Sequence, residues 1–159
     1  MELKVRRTEK DDVLLIFNWA NDELTRKMSF NQDSILLEDH KRWFNKILQQ
    51  PKTHLLIVEL RENLKFVPIG QIKFDEDGKI SHSIAKDFRG KKLGIPSLKA
   101  AMQYIKFNSE LNTIFAQIKP NNIPTIKIYE TYGFVFHSEI TVKGNLVRKY
   151  IYEFSLSEN

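Results

Sequence analysis

Three β-like runs follow one another in the middle of the chain, and they limit the possible folds more than any other feature. They are rich in β-branched and apolar residues and cover residues 54–60, 66–74 and 79–85. Residues 61–64 and 75–78 supply the turns between them. Since short turns join antiparallel strands, the sequence predicts a three-strand meander, with a bulge at Pro68 or Gly70.

Elements of both kinds flank this meander. Apolar residues at helical spacing predict two helices before it, the first capped by Thr8 with Asp11 in its first turn, and two helices after it. Further strands are predicted at residues 2–7, 113–118, 134–140 and 145–154. This order predicts one α+β domain over residues 1–159, with a central mixed, mostly antiparallel sheet of about seven strands flanked by about four helices.

Composition excludes several classes of protein. A chain of 159 residues with 42% hydrophobic and 28% charged residues is typical of one globular domain. It has no cysteine, and its four histidines lack i, i+4 spacing, so we expect no metal site. The N-terminal residues lack the apolar run of a signal peptide, and no apolar stretch is long enough to cross a membrane. We therefore expect a soluble cytoplasmic protein without a membrane partner.

The segment AKDFRGKKLGIPSLKAAM (residues 85–102) combines a basic, glycine-containing turn with the start of a helix. Gly90 and Gly94 can adopt positive φ, and the first N–H groups of a helix have no internal acceptor. The helix dipole adds positive potential there, as do Arg89 and the two lysines. Pyrophosphate binding and a solvated helix start both fit this pattern, whereas the P-loop and Rossmann fingerprints are absent.

Two motifs resemble signatures of the GNAT acetyltransferase superfamily. Residues 89–94, RGKKLG, are similar to its acetyl-CoA loop, [RQ]-x-x-G-x-[GA], with Lys92 where the middle glycine normally stands. Residues 122–134 are similar to its N-x-x-[SA]-x-x-x-Y-x-x-x-G-F signature, whose positions are occupied at the right spacing by Asn122, Thr125, Tyr129, Gly133 and Phe134. The resemblance implies an acetyl-CoA-dependent N-acetyltransferase with the single-domain fold of that superfamily.

The resemblance also implies where acetyl-CoA binds. The strand before the loop splays from its neighbour in this superfamily, and its main chain pairs with the pantetheine arm. Ile84 maps to the position whose N–H polarises the thioester carbonyl. The implied contacts are Ile84, Ala85, Lys86, Arg89, Gly90, Lys91, Lys92, Leu93, Gly94, Asn122, Thr125 and Tyr129.

Tyr129 maps to the tyrosine that protonates the departing thiolate. A phenol with a pKa near ~10 stays protonated at neutral pH and can act as an acid. The base that deprotonates the amine is left open between His82, Glu59 and a relayed water. Alternation along the strand puts His82 on one face of the sheet and Ser81 and Ser83 on the other. The sequence does not show which of the two faces is next to the acceptor.

The N-terminal helices are expected to select the amine. Residues 18–28 and 38–44 resemble two branches, the nucleotide-amino-sugar (PseH-like) and the ribosomal-protein N-terminal acetyltransferases. The sugar branch is favoured, because an anionic nucleotide sugar suits a net charge of +5. The candidate acceptor-binding residues are Trp19, Asn21, Arg26, Met28, Phe30, His40 and Trp43.

Two other classes compete with the enzyme hypothesis. A nucleic-acid-binding module could use the basic loop, but RNA-recognition aromatics are missing and the lysines are spread along the chain. A degenerate domain could bind CoA without turnover, because Lys92 departs from the loop motif. The partners we expect are acetyl-CoA and a small amine acceptor, with no nucleic acid; a homodimer is left open.

Overall fold

The computed structural model describes residues 1–155, which form seven strands and five α-helices. The strands are β1 (Leu3–Arg7), β2 (His54–Glu62), β3 (Lys65–Phe74), β4 (Ile80–Ile84), β5 (Thr113–Ile118), β6 (Val135–Val142) and β7 (Asn145–Glu153). The helices are α1 (Val13–Ala20), α2 (Glu23–Met28), α3 (Leu37–Leu48), α4 (Gly94–Asn108) and α5 (Ile123–Tyr132). The predicted α+β class is confirmed, and so are the seven strands.

The strands form two antiparallel sheets rather than one mixed sheet. One sheet has the order β1-β2-β3-β4 and the other β5-β7-β6. The sheets meet at a single parallel bridge between Lys79 and Phe115, where the Phe115 N–H donates to the Gly78 carbonyl at 3.0 Å. Within residues 1–155, β4 and β5 share no ladder beyond this bridge. A gap therefore opens along the free edge of β4.

The first sheet carries a different layer on each face. Leu56 and Val58 of β2 point into the larger core, which α4 and α5 cover. Leu55 and Ile57, one position along the strand, point into a smaller core beneath α1 and α3. Because directly paired residues share a face, this alternation assigns every β3 and β4 side chain to one layer or the other.

The meander has a bulge in β3, but it lies between the two predicted positions, Pro68 and Gly70. Val58 pairs with Gly70 and Glu59 with Pro68, so Ile69 is the extra residue on β3. The turn between β6 and β7 has positive φ at Lys143 and Gly144.

Two local predictions are wrong. Thr8 does not cap the first helical turn; Glu9 occupies that position, and its N–H donates to the Asp12 carboxylate at 2.7 Å. The six-residue α2 was not predicted, and it raises the helix count from four to five. It is capped by Asp22, whose carboxylate accepts the Thr25 N–H at 3.1 Å. Within residues 1–155, every helix is too short or too polar to span a bilayer.

Candidate active site

The free edge of β4 faces the gap between the sheets. The Ala85 N–H donates to the Ile69 carbonyl at 2.7 Å. The main-chain groups of Ala85, and of every second residue before it, therefore point toward β3. In an antiparallel ladder the alternate residues point the other way, so the main-chain groups of His82 and Ile84 face the gap. The Ile84 carbonyl accepts a hydrogen bond from the Arg89 Nε at 2.9 Å.

The loop after β4 presents unpaired amides. Within residues 1–155, no N–H group of residues 90–95 donates to a protein acceptor. Gly90 has φ 73°, and Lys92 has φ 60°. Lys92 therefore adopts the left-handed conformation that the glycine of the motif would take more easily. The buried Leu93 side chain fixes the loop to the larger core.

Gly94 is needed for its size rather than for its φ, which is not positive. A Cβ atom there would lie 2.4 Å from the Cδ1 of Ile128. Gly94 thus lets the start of α4 pack closely against α5, and it is not a flexible position of the turn.

Arg89 links the loop to α2, a contact that the sequence did not reveal. Its guanidinium donates to the Asp22 carboxylate at 2.6 Å, as well as to the Ile84 carbonyl. Burial alone would raise the pKa of Asp22, but hydrogen bonds from Arg89 and from the Thr25 N–H bring it below its usual value. An aspartate at the position of Asp22, directly before a helical turn, indicates a helix cap. It gives no indication of a contact with Arg89.

Tyr129 and His82 form a hydrogen-bonded pair beside the gap. The Tyr129 hydroxyl lies 2.9 Å from the Nδ1 of His82, and the Tyr129 side chain is buried. Burial lowers the pKa of the His82 imidazole to about 4 and raises the pKa of the Tyr129 phenol. Both groups are therefore neutral at neutral pH. Asn122 and Thr125 lie half-buried at the start of the same helix.

A cleft of about 220 Å³ lies on the opposite face of β4. Ser83 lines it, whereas His82 points to the face covered by α5. The remaining lining residues come from α1, the cap of α2, the last residue of β4 and the segment after it: Asn18, Trp19, Asp22, Ile84, Ala85, Lys86, Asp87 and Arg89. The structure thus brings the Trp19 of the predicted acceptor set next to predicted cofactor residues.

The other predicted acceptor residues fall into two groups. Asn21 exchanges two hydrogen bonds with the main chain of Ile35, and Arg26 donates to three carbonyls of its own segment. His40 is buried and its Nε2 lies 3.0 Å from the Val13 carbonyl. These three side chains hold the N-terminal helices together. The second group is at least partly exposed: Met28, Phe30 and Trp43.

The acetyltransferase (GNAT) domain family matches residues 2–135 of the chain. The chain belongs to this family. The resemblance of the two motifs is thereby confirmed, and the α+β fold described above is a GNAT domain.

Curated relatives match this GNAT domain over part of their length. A probable spermine N(1)-acetyltransferase of Bacillus subtilis subsp. natto is 33% identical over 81 residues, covering 47% of this chain and 53% of the relative. An uncharacterised protein of Methanocaldococcus jannaschii is 27% identical over 158 residues, covering 96% of this chain but 31% of the relative. The chain thus spans about half the length of the first relative and about a third of the second.

Solved structures share the fold. The spermidine N-acetyltransferase of Vibrio cholerae, in complex with CoA and spermine, has a TM-score of 0.86 at 20% identity, covering 99% of this chain and 98% of that one. The aminoglycoside acetyltransferase AAC(6')-Ib, in complex with coenzyme A, has a TM-score of 0.78 at 19% identity, covering 96% and 95%.

Proposed function

We propose that this GNAT domain transfers an acetyl group from acetyl-CoA to a primary amine of a small acceptor. One observation carries the proposal: the free edge of β4 leads directly into a loop whose amides, at residues 90–95, have no acceptor among residues 1–155. An extended chain that contains amides would fit the edge of β4, and a pyrophosphate joined to it would fit the loop. The pantetheine arm and pyrophosphate of coenzyme A have this form.

The residues present fit acetyl-CoA. The amides of residues 90–95 and the positive end of α4 are suited to the pyrophosphate oxygens. Within residues 1–155, the main-chain groups of His82 and the Ile84 N–H face the gap without a β-ladder partner, so they can pair with the pantetheine arm. When bound, acetyl-CoA supplies an acetyl group activated as a thioester.

Tyr129 is proposed as the general acid of a direct transfer in a ternary complex. The amine nitrogen attacks the thioester carbonyl carbon, and the Ile84 N–H donates to the carbonyl oxygen as negative charge develops there. When the C–S bond breaks, Tyr129 gives its phenolic proton to the sulfur. Burial raises the pKa of this phenol, so Tyr129 carries its proton at neutral pH.

His82 is better suited to be the partner of Tyr129 than to be the base. Its Nδ1 is engaged by the phenol, and an imidazole with a pKa of about 4 is a weak acceptor for an ammonium proton. Glu59 is held in ion pairs by Lys4 and Arg6. We therefore propose that water in the cleft takes the proton of the amine.

The acceptor we propose is the amino group of a nucleotide-linked amino sugar. Trp19 in the cleft offers a flat face for a sugar ring, and the net charge of the protein favours an anionic acceptor. Polyamines are the second candidate, because a relative 33% identical over 81 residues is named as a spermine acetyltransferase.

Free-thiol release from acetyl-CoA tests this function. The assay compares UDP-linked 4-amino sugars, spermine, an aminoglycoside and an N-terminal peptide, each at equal concentration. We expect release that depends on the amine and is fastest with the UDP-amino sugar. Fastest release with spermine would replace the proposed acceptor and keep the reaction. Binding of acetyl-CoA without release for any amine would show a domain that binds CoA without turnover.

A further inference from the structure

Two lysines outside the proposed catalytic machinery each lie over an aromatic ring. The Nζ of Lys73 is 5.7 Å from the ring centre of Trp43, and the Nζ of Lys79 is 5.6 Å from that of Phe30. We call these four residues the lysine–aromatic cluster. Lys73 lies on β3, Lys79 directly precedes β4, and the two rings come from α3 and from the segment before it.

The two ammonium groups of the cluster have no ion-pair partner within the described residues. Both lysines are half-buried, and the pKa of Lys73 is lowered by burial and then by the charge of Lys79. The charge of Asp75 opposes this effect, and its Oδ1 also accepts the N–H groups of Asp77 and Lys79 within the hairpin turn. An anion placed between the two ammonium groups would relieve their repulsion.

The cluster lies on the face of the sheet that carries the cleft. Lys73 pairs with Ser81 across the ladder, and paired residues share a face. Alternation along β4 puts Lys79 and Ser81 on the same face as Ser83, which lines the cleft. Ser83 lies four positions after Lys79 along extended chain, which is about 13 Å. A sugar with a diphosphate has a suitable length to connect the two places.

We propose that the lysine–aromatic cluster is the subsite for the nucleoside diphosphate part of the acceptor. Lys73 and Lys79 bind the diphosphate oxygens, while Trp43 and Phe30 stack on the base. The amino sugar then extends along Ser81 to Ser83 and the thioester site. This inference rests on the proposed function and adds how the acceptor is recognised.

Calorimetric titration with UDP tests the subsite. Saturating coenzyme A is added first, so that the amides of residues 90–95 are occupied. We expect UDP to bind, and Lys73→Met and Lys79→Met each to weaken binding about 10-fold. Lys65→Met removes the same charge at the other end of β3 and should bind UDP as the native protein does. Thermal unfolding of each variant checks that it is folded.

Two further probes separate the base from the phosphates. Trp43→Leu should weaken UDP binding about 10-fold and leave the binding of inorganic pyrophosphate unchanged. Equal affinity for pyrophosphate and UDP would contradict a role for the rings in binding the base.

The subsite and the acetyl transfer can fail separately. Absence of UDP binding, or equal weakening by Lys65→Met and Lys73→Met, would overturn the subsite even if acetyl-CoA supports thiol release with another amine. Absence of acetyl-CoA binding would overturn the proposed function, whereas UDP titration without coenzyme A would still test the two lysines.

Discussion

The hydroxyl of Tyr129 and the Nδ1 of His82 lie 2.9 Å apart, although the residues are 47 positions apart in the chain. The pair joins α5 to β4 next to the gap between the sheets. Burial keeps both groups neutral, since it lowers the pKa of the imidazole to about 4 and raises that of the phenol. The phenol proposed to protonate the thiolate is therefore neutral, and its contact with His82 fixes its orientation.

Tyr129→Phe should lower kcat about 100-fold, because it removes the general acid and leaves the ring in place. The affinity for acetyl-CoA should change little, since the loop amides are untouched. Tyr104→Phe, a substitution on α4, is the matched control. Stopped-flow thiol release and calorimetry measure the two quantities. Full activity of Tyr129→Phe would remove Tyr129 from the acid role.

The neutral His82 should make the fold sensitive to moderate acid. Below pH 6.5 the unfolded chain protonates this histidine, whereas the folded chain does so only near pH 4, so stability falls as the pH drops through this window. The slope from one such group is at most about 1.4 kcal/mol per pH unit. His82→Gln should flatten the dependence, which urea unfolding at several pH values would measure. Part of the pH dependence should remain in His82→Gln, because burial also lowers the pKa values of His40 and His54. Identical slopes in both proteins would contradict a neutral His82 imidazole in the folded protein.

The positive φ of Lys92 leads to a prediction that does not depend on the charge of the lysine side chain. Lys92→Asn and Lys92→Val both remove the ammonium, but only asparagine accepts positive φ readily. The free energy of unfolding of Lys92→Val should therefore be about 1–2 kcal/mol lower than that of Lys92→Asn. It should also bind acetyl-CoA more weakly, because the loop amides are displaced. Equal behaviour of the two variants would show that the conformation of this residue does not matter.

The Arg89–Asp22 contact should couple the loop to α2. Arg89→Met and Asp22→Asn, singly and together, form a double-mutant cycle in which asparagine keeps the helix cap. We expect a coupling energy of about 1 kcal/mol in unfolding, as for a partly exposed charged pair. We also expect Arg89→Met to slow thiol release, because the Ile84 carbonyl then loses the Arg89 hydrogen bond. Strictly additive effects would contradict the coupling.

Most of the fold could be predicted because its signals are local. Alternation, helical spacing and turn residues identified the seven strands and four of the helices. The short α2 was missed, since six residues with two apolar side chains give no clear periodicity. The division into two sheets was not predicted from pattern either, because it depends on where β4 and β5 separate in space.

The site could be predicted only as far as its motifs reach. The loop and Tyr129 lie within continuous motifs, whereas the partners of their side chains come from distant parts of the chain. Asp22 is 67 positions from Arg89, and no pattern in one sequence reports such a pair. Arg26 and His40 looked like ligand contacts by residue type, but their polar atoms bind the main chain of the N-terminal segment.

The central claim is that acetyl-CoA binds along β4 and the loop after it. Titration of ¹⁵N-labelled protein with acetyl-CoA, followed by NMR, tests this most directly, since it needs no knowledge of the acceptor. We predict saturable binding with the largest amide shifts at Ile84 and at residues 90–93. Saturable binding with its largest shifts elsewhere, or no binding at millimolar acetyl-CoA, would contradict the account.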